Sequence, residues 1–199
     1  PWFNENKERY LAAKKEFDTY IETLIPLLKK QDHSIDVNFA KECVYRIYRD
    51  VRFSKNKEPY KNSFGAYISK GGRKSPYAGY YIHFEPDNSF IGGGIYQPSP
   101  TVLKSIRNQI FEHTDAYKKI LTKKELKNEY SVLEGAKLKM APKGFPKDFK
   151  DIDLLKNKHF TVRKKIDNEL WLKENSVELI LKSFETQQDF NHFLNRAVE

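Results

Sequence analysis

The sequence predicts an α+β fold: a single domain over residues 1–199, with a largely antiparallel sheet and helices packed on one face of it. Two patterns predict this class. Apolar residues follow the helical period towards both ends of the chain, whereas apolar and other residues alternate in its middle. In proteins with a parallel sheet, strands and helices alternate along the chain. The helical and strand-like segments of this sequence do not alternate strictly.

The first predicted helix runs from Asn4 to about Lys30, because its apolar residues recur with helical spacing. Pro26 is expected to kink this helix or to end its regular part, since proline cannot donate a backbone hydrogen bond. Residues 37–61 come next, and their pattern fits either a short helical stripe or a strand. Periodicity alone does not decide between the two.

A β-meander is predicted after this segment, because apolar residues alternate and turn residues separate the runs. The glycines at 92–94 would permit a bulge or the close approach of another backbone. Two further strands are expected at Lys137–Ala141 and His159–Ile166. The three strands of the meander are placed in 62–69, 80–85 and 90–96.

Alternation also assigns the side chains of the second meander strand to two faces. Of the rings of Tyr80 and Tyr81, one is expected to point inward and the other outward. The outward ring either lines a cleft beside His83 or merely covers the sheet.

Three helical segments are predicted in the second half of the chain. Ser99-Pro100 is a start signal, since Ser is favoured at the N-cap and Pro at the first helical position. One apolar helical face is expected over 103–121, and a short helix near 123–130. The last helix runs from Asn175 to the end, and Asn175 with Glu178 resembles a capping box.

The main candidate for function is the basic segment, which we define as residues 46–61, RIYRDVRFSKNKEPYK. It holds three Arg at a spacing of three, then Lys residues, with aromatic residues between them. Arg presents a planar fork that matches two oxygens of a phosphate or carboxylate. Aromatic rings can stack a base or a sugar. The basic segment is therefore predicted to bind a small anionic ligand that carries phosphate or carboxylate.

Ten residues are expected to form this pocket. If the ligand is chemically converted, Asp50 is the one residue expected to act as a catalytic base. The sequence does not decide whether the ligand is converted. The anion-binding residues are expected to be Arg46, Arg49, Arg52, Lys57, Lys61 and Arg107, and the pocket lining Asp50, Phe53, Tyr60 and Tyr81.

Two other functions remain open. A net charge of +9 suits a nucleic-acid-binding module, whose affinity would fall steeply with salt. Alternatively, Asp50 and Glu58 pair with the Arg residues, and the basic segment is a structural hub of an interaction protein. The sequence does not predict the oligomeric state.

Composition excludes several other classes. No run of apolar residues approaches the roughly 18 needed to cross a membrane, so no membrane partner is expected. One cysteine, Cys43, excludes a disulfide scaffold and a Cys-based metal site, and it favours a cytoplasmic location. The five histidines lack the spacing of metal ligands, so neither a metal nor a cofactor is predicted.

The basic segment also resembles the hallmark of DUF2461, a bacterial family of unknown function. This resemblance implies a single soluble domain and supplies no catalytic residues. Asn56 stands where the family often has Asp. The few residues that the family usually has before the Trp-Phe pair, including an Asn run, are absent, so the chain is expected to start inside the domain. The other matching segments are Trp2-Phe3, Asn6-Lys7 with Tyr10, Tyr80-Tyr81 with Pro86, Gly94 with Pro98, Leu103 with Ile106-Arg107, and Pro142-Lys143-Gly144-Phe145.

Overall fold

The computed structural model describes residues 2–53, 55, 57–132 and 135–199 of the chain. In chain order its helices are α1 (Trp2–Glu5), α2 (Lys7–Gln31), α3 (Ala40–Cys43), α4 (Pro100–Glu112), α5 (Thr114–Leu121), α6 (Lys124–Glu129), α7 (Ile152–Leu155), α8 (Asn168–Trp171) and α9 (Ser176–Asn195). Its strands are β1 (Phe64–Ile68), β2 (Gly79–Phe84), β3 (Phe90–Ile95), β4 (Ser131–Val132) and β5 (Phe160–Lys165).

The strands form one antiparallel sheet in the order β1-β2-β3-β5-β4. Its central row of partners on the core side runs from Ile68 through Tyr80 and Gly93 to Val162. Helices α2 and α9 cover this side, and Tyr80 and Val162 are buried beneath them. The fold is thus the predicted α+β class, with the apolar core between the sheet and the helices.

Helix α9 binds the sheet with a row of amide side chains one turn apart. Gln187 donates to the carbonyl of Gly92, and Asn191 donates to the carbonyl of Gly79 at 3.0 Å. The Asn191 side-chain oxygen also accepts the N–H of Gly94 at 2.9 Å. A Cβ at Gly93 would lie 2.1 Å from the Gln187 amide nitrogen, so glycine is needed for this close approach.

Most of the predicted elements are present, with shifted bounds. Helix α2 does not end at Pro26 but continues to Gln31. Ser99 caps α4 by accepting the N–H of Val102, as expected. The apolar face over 103–121 is divided between α4 and α5, where the Thr114 hydroxyl binds the carbonyl of Ile110.

Two local predictions are wrong. Over 137–141, Lys137 forms an isolated bridge with Asn157, and the described residues contain no strand there. Pro142 follows directly and cannot donate to a ladder. The strand beside β5 is instead the two-residue β4. At α9 the Asn175 side chain makes no capping hydrogen bond, so within the described chain the capping box is not formed.

The described residues of the basic segment form most of an extended ribbon and contain no helix. Tyr48 is bridged to Tyr60, and the N–H of Lys61 donates to the carbonyl of Ile47 at 2.9 Å. The ribbon is continuous with β1, because the N–H of Tyr45 donates to the carbonyl of Gly65, a residue of β1, at 2.9 Å. Position 56 lies outside the described residues.

Candidate functional site

The face of the sheet opposite the helices carries a cavity of about 660 Å³, which we call the sheet cavity. Strand register places Tyr67, Tyr81, Gly92 and Arg163 side by side on this face. Gly92 has no side chain, so the centre of the cavity floor is bare backbone. The volume lies in the range of sites for small molecules.

Three basic side chains line the sheet cavity: Lys61, Arg73 and Arg163. None of the described residues that line it is an Asp or a Glu. Burial and the nearby Arg46 guanidinium lower the pKa of Lys61. The cavity is therefore electropositive, and positive charge within it is destabilised unless an anion is present.

Lys61 and Arg73 both lie beside Tyr45, at one end of the cavity. The Lys61 ammonium lies 5.6 Å from the centre of the Tyr45 ring, and the Tyr45 hydroxyl donates to the carbonyl of Arg73 at 3.4 Å. Each cation uses part of its hydrogen-bonding capacity on the backbone, Lys61 with the carbonyl of Arg46 and Arg73 with that of Lys41. Donors remain on both side chains, since Lys offers three and Arg five.

Arg163 lies at the other end of the cavity, on β5. Its guanidinium stacks over the Phe90 ring at 4.0 Å. His83 stacks against Phe90 as well, with ring centres 4.7 Å apart. A guanidinium on an aromatic face keeps its edge donors available for a ligand.

Between the two ends, Tyr81, His83 and Glu85 form a chain of hydrogen bonds along β2. Tyr81 Oη lies 3.1 Å from His83 Nδ1, and His83 Nε2 lies 3.1 Å from Glu85 Oε2. Hydrogen bonds from His83 and Asn88 lower the pKa of Glu85, so this carboxylate only accepts. A neutral His83 then donates from Nε2 and accepts the Tyr81 hydroxyl at Nδ1.

Burial raises the pKa of Tyr81 to about 12, so its phenol keeps its proton at neutral pH. Its single proton lies between Tyr81 Oη and His83 Nδ1, so the phenol can either turn that proton towards a bound molecule or pass it to His83, which then acts as a base. The arrangement is therefore suited to proton transfer at the Tyr81 oxygen.

Tyr67 anchors the cavity floor. Its hydroxyl lies 2.8 Å from the carbonyl of Tyr77 and 2.7 Å from that of Gly94. Burial raises the pKa of this phenol. Tyr67 therefore has a structural part, which is to fix the loop at Tyr77 onto β3.

The structure brings two of the predicted site residues, Lys61 and Tyr81, into the sheet cavity. The others lie elsewhere. Arg107 sends its guanidinium to the carbonyls of Leu155 at 2.7 Å and Asn157 at 3.2 Å, and so ties α4 to the chain around α7.

The remaining members of the basic segment lie along the ribbon and its end, outside the cavity lining. Arg52 makes two hydrogen bonds to Asp50, with both side chains exposed, and Arg49 pairs with Glu58 at 3.7 Å. Of the other four residues, Arg46 and Phe53 are exposed, Phe53 to 95%. Lys57 donates to the carbonyl of Val51, and the Tyr60 ring stacks on that of Phe3 with centres 4.0 Å apart.

Sequence reasoning missed Arg73 and Arg163 as site residues. Arg73 stands in a glycine-containing loop, and the local sequence of a loop does not show which part of the fold its side chains face. Arg163 alternates with the buried Val162 on β5, which marks it as facing outward. That alternation was the available signal, but exposed basic residues on strands are common.

A second cavity of about 490 Å³ lies between the ends of α2 and α9. His192 lines it and lies 3.1 Å from the buried carboxylate of Asp32. Burial alone would raise the pKa of Asp32, but hydrogen bonds, the first from Tyr80, lower it below the ordinary value. Two acidic residues, Asp36 and Glu199, line this cavity beside basic ones, so it lacks the uniform charge of the sheet cavity.

Three further features concern the rest of the described chain. Cys43 is fully buried, and burial raises the pKa of its thiol to about 12, so the thiol is unreactive at neutral pH. In the described parts of the chain, no group of three or more His, Cys, Asp or Glu side chains is placed to hold a metal ion. No helix among those residues is both long and apolar enough to span a bilayer.

Comparison with known proteins identifies the family. Residues 1–193 match the family described as "Conserved hypothetical protein (DUF2461)", and the chain belongs to this family. The resemblance inferred from the basic segment is thereby confirmed. No curated protein and no solved structure matches the chain.

Proposed function

We propose that the protein binds a small anionic ligand, bearing phosphate or carboxylate, in the sheet cavity. The observation that carries the proposal is the charge of the lining: Lys61, Arg73 and Arg163 with no carboxylate among the described lining residues. Some basic side chains elsewhere on the molecule are paired with acidic ones, as at Arg52 with Asp50 and Lys118 with Asp151. Unmatched cations in a concave site favour an anion from solution.

The proposed ligand belongs to the class predicted from the sequence, but the proposed site is the sheet cavity rather than the basic segment. Most of the basic segment lies along the ribbon, and Lys61 is the cation it contributes to the cavity. The Tyr81–His83–Glu85 chain would place a proton donor beside the bound anion. Binding is the function proposed, and proton transfer is what this chain of residues would add.

A thermal-shift screen at low salt tests the proposal, using inorganic phosphate, sugar phosphates, nucleotides and small carboxylates. A ligand that binds only the folded protein raises the melting temperature. The best anion is then titrated calorimetrically into Arg163→Gln and into Arg52→Gln. We expect about tenfold weaker binding for the first variant, from the loss of a charge-assisted hydrogen bond, and unchanged binding for the second.

Three results would contradict the proposal. A flat screen would exclude a small-anion site of useful affinity. A loss confined to Arg52→Gln would return the site to the basic segment, and tight salt-dependent binding of oligonucleotides, with no response to small anions, would favour the nucleic-acid module.

The proposal also includes a location. A reduced, fully buried Cys43 and an anionic metabolite as ligand fit the bacterial cytoplasm. Fractionation of the native host is the direct check, and recovery from an oxidising compartment would contradict it.

A further inference from the structure

The cations of the sheet cavity are not clustered at one point. Lys61 and Arg73 lie beside Tyr45, whereas Arg163 lies over Phe90. The two groups stand at opposite ends of the cavity. A single phosphate or carboxylate held at one end would leave the cations at the other end unmatched.

A row of aromatic rings joins the two ends. The Tyr45 and Tyr81 ring centres lie 6.5 Å apart, and those of Tyr81 and Phe90 5.5 Å apart. Strand register gives a matching span: Tyr67 and Arg163 are three strands apart, or about 14 Å between their backbones at the usual spacing. Side chains that reach inward shorten the gap between the charges.

The middle of the cavity differs from its ends. Its floor is the bare backbone of Gly92 and the face of Tyr81, and its rim carries Tyr77 and Tyr96. These surfaces suit an uncharged hydrocarbon, sugar or ring that lies flat. The Tyr81 hydroxyl is one polar group that lines the cavity.

We infer that the ligand is elongated and carries an anionic group at each end, joined by an uncharged middle part. This inference rests on the proposed function, because it assumes that the sheet cavity is the anion site. One anionic group binds between Lys61 and Arg73, and the other binds Arg163. The uncharged part lies over Tyr81 and Gly92.

Three phosphonates test the inference by calorimetry at low salt. Methylphosphonate has one anionic group, methylene bisphosphonate has two adjacent groups, and hexamethylene bisphosphonate has two separated groups. We expect hexamethylene bisphosphonate to bind at least about tenfold more tightly than either of the others, since it alone engages both ends. Equal affinity of the two bisphosphonates would overturn the inference, because total charge would then suffice.

Variants at the two ends complete the test. Lys61→Gln and Arg163→Gln are each expected to lower the affinity for hexamethylene bisphosphonate to that for methylphosphonate. Arg52→Gln is the matched control and should leave the affinity unchanged. If the Lys61 and Arg163 variants leave the preference for the separated bisphosphonate intact, the two-ended site is wrong.

The outcomes separate the inference from the proposed function. If none of the three probes binds the unaltered protein, the proposed function itself fails. If all three bind with similar affinity and Arg163→Gln weakens each equally, the anion site stands and the two-ended ligand is excluded. Melting curves of each variant confirm that it is folded.

Discussion

At Gly65 the absence of a side chain makes room for the Tyr81 phenol. A Cβ at this position would lie 2.9 Å from Tyr81 Oη but 3.5 Å from the nearest ring carbons. The conflict would therefore be with the hydroxyl, while the ring would make ordinary contact. Gly65 pairs with His83 across the strands, so it lies beside the hydrogen bond that it accommodates.

A double-mutant cycle tests this arrangement. Gly65→Ala should destabilise the protein by about 1 kcal/mol, because the displaced Tyr81 hydroxyl loses its hydrogen bond to His83. In the Tyr81→Phe background the same substitution should cost little, since the conflicting oxygen is gone. Urea unfolding measures both free energies. An equal cost of Gly65→Ala in the two backgrounds would show that the strain lies in the backbone.

Single residues also mark the limit of what the sequence predicts. Alternation places one of Tyr80 and Tyr81 in the core and the other on the opposite face. In the structure Tyr80 is in the core, and Tyr81 lies on the opposite face beside His83. Alternation cannot show that Arg73 from a loop and Arg163 from a distant strand share a cavity with Tyr81. That juxtaposition depends on strand order, which is a property of the whole chain.

At the scale of elements, α9 and the glycine run of β3 depend on each other. Asn191 lies between two strands and bonds the backbone of both, at Gly79 and at Gly94. All of these groups are buried. The side chain thus serves one donor and one acceptor that would otherwise be unpaired.

Asn191→Ala should lower the free energy of unfolding by about 2–4 kcal/mol, since two buried backbone groups lose their partners. Glu185→Ala, on the exposed side of the same helix, is the control and should change stability by less than about 0.5 kcal/mol. Denaturant unfolding measures both. A small loss for Asn191→Ala would mean that the two strands close the gap by bonding each other.

The sequence indicates the glycine run but not its partner. Gly92, Gly93 and Gly94 predict a bulge or the close approach of another backbone. The Gln187 amide of α9 makes the close approach at Gly93, and the backbone oxygens of Val162 and Phe160 make it at Gly92 and Gly94. Local patterns also fail for the two-residue β4, which is too short to show alternation. Charge density in the basic segment likewise does not reveal which way each side chain points.

At the scale of the whole molecule, the two faces of the sheet have different tasks. One face packs on helices and holds the apolar core, and the other holds the electropositive cavity. Buried phenols lie on both sides, and burial raises the pKa of each. The helix side holds Tyr80, and the cavity side holds Tyr67 and Tyr81.

This burial predicts the alkaline limit of stability. The folded protein holds these phenolic protons more tightly than the unfolded chain, whose tyrosines titrate near pH 10. Stability should therefore be constant below about pH 10 and fall as the pH rises through the folded values, by up to about 1.4 kcal/mol per pH unit for each phenol. Unfolding curves between pH 8 and 12 measure this, and phenolate absorbance follows the titration. Free titration of all tyrosines near pH 10 without unfolding would contradict the burial.

The most direct test of the central claim is to locate bound anion on the molecule. Inorganic phosphate is titrated into isotope-labelled protein at low salt, and backbone amide shifts are followed by NMR. The account predicts that the largest shifts fall at Arg73, Gly92, Gly94 and Arg163. Largest shifts at Arg49 and Arg52, or in the cavity beside His192, would contradict it.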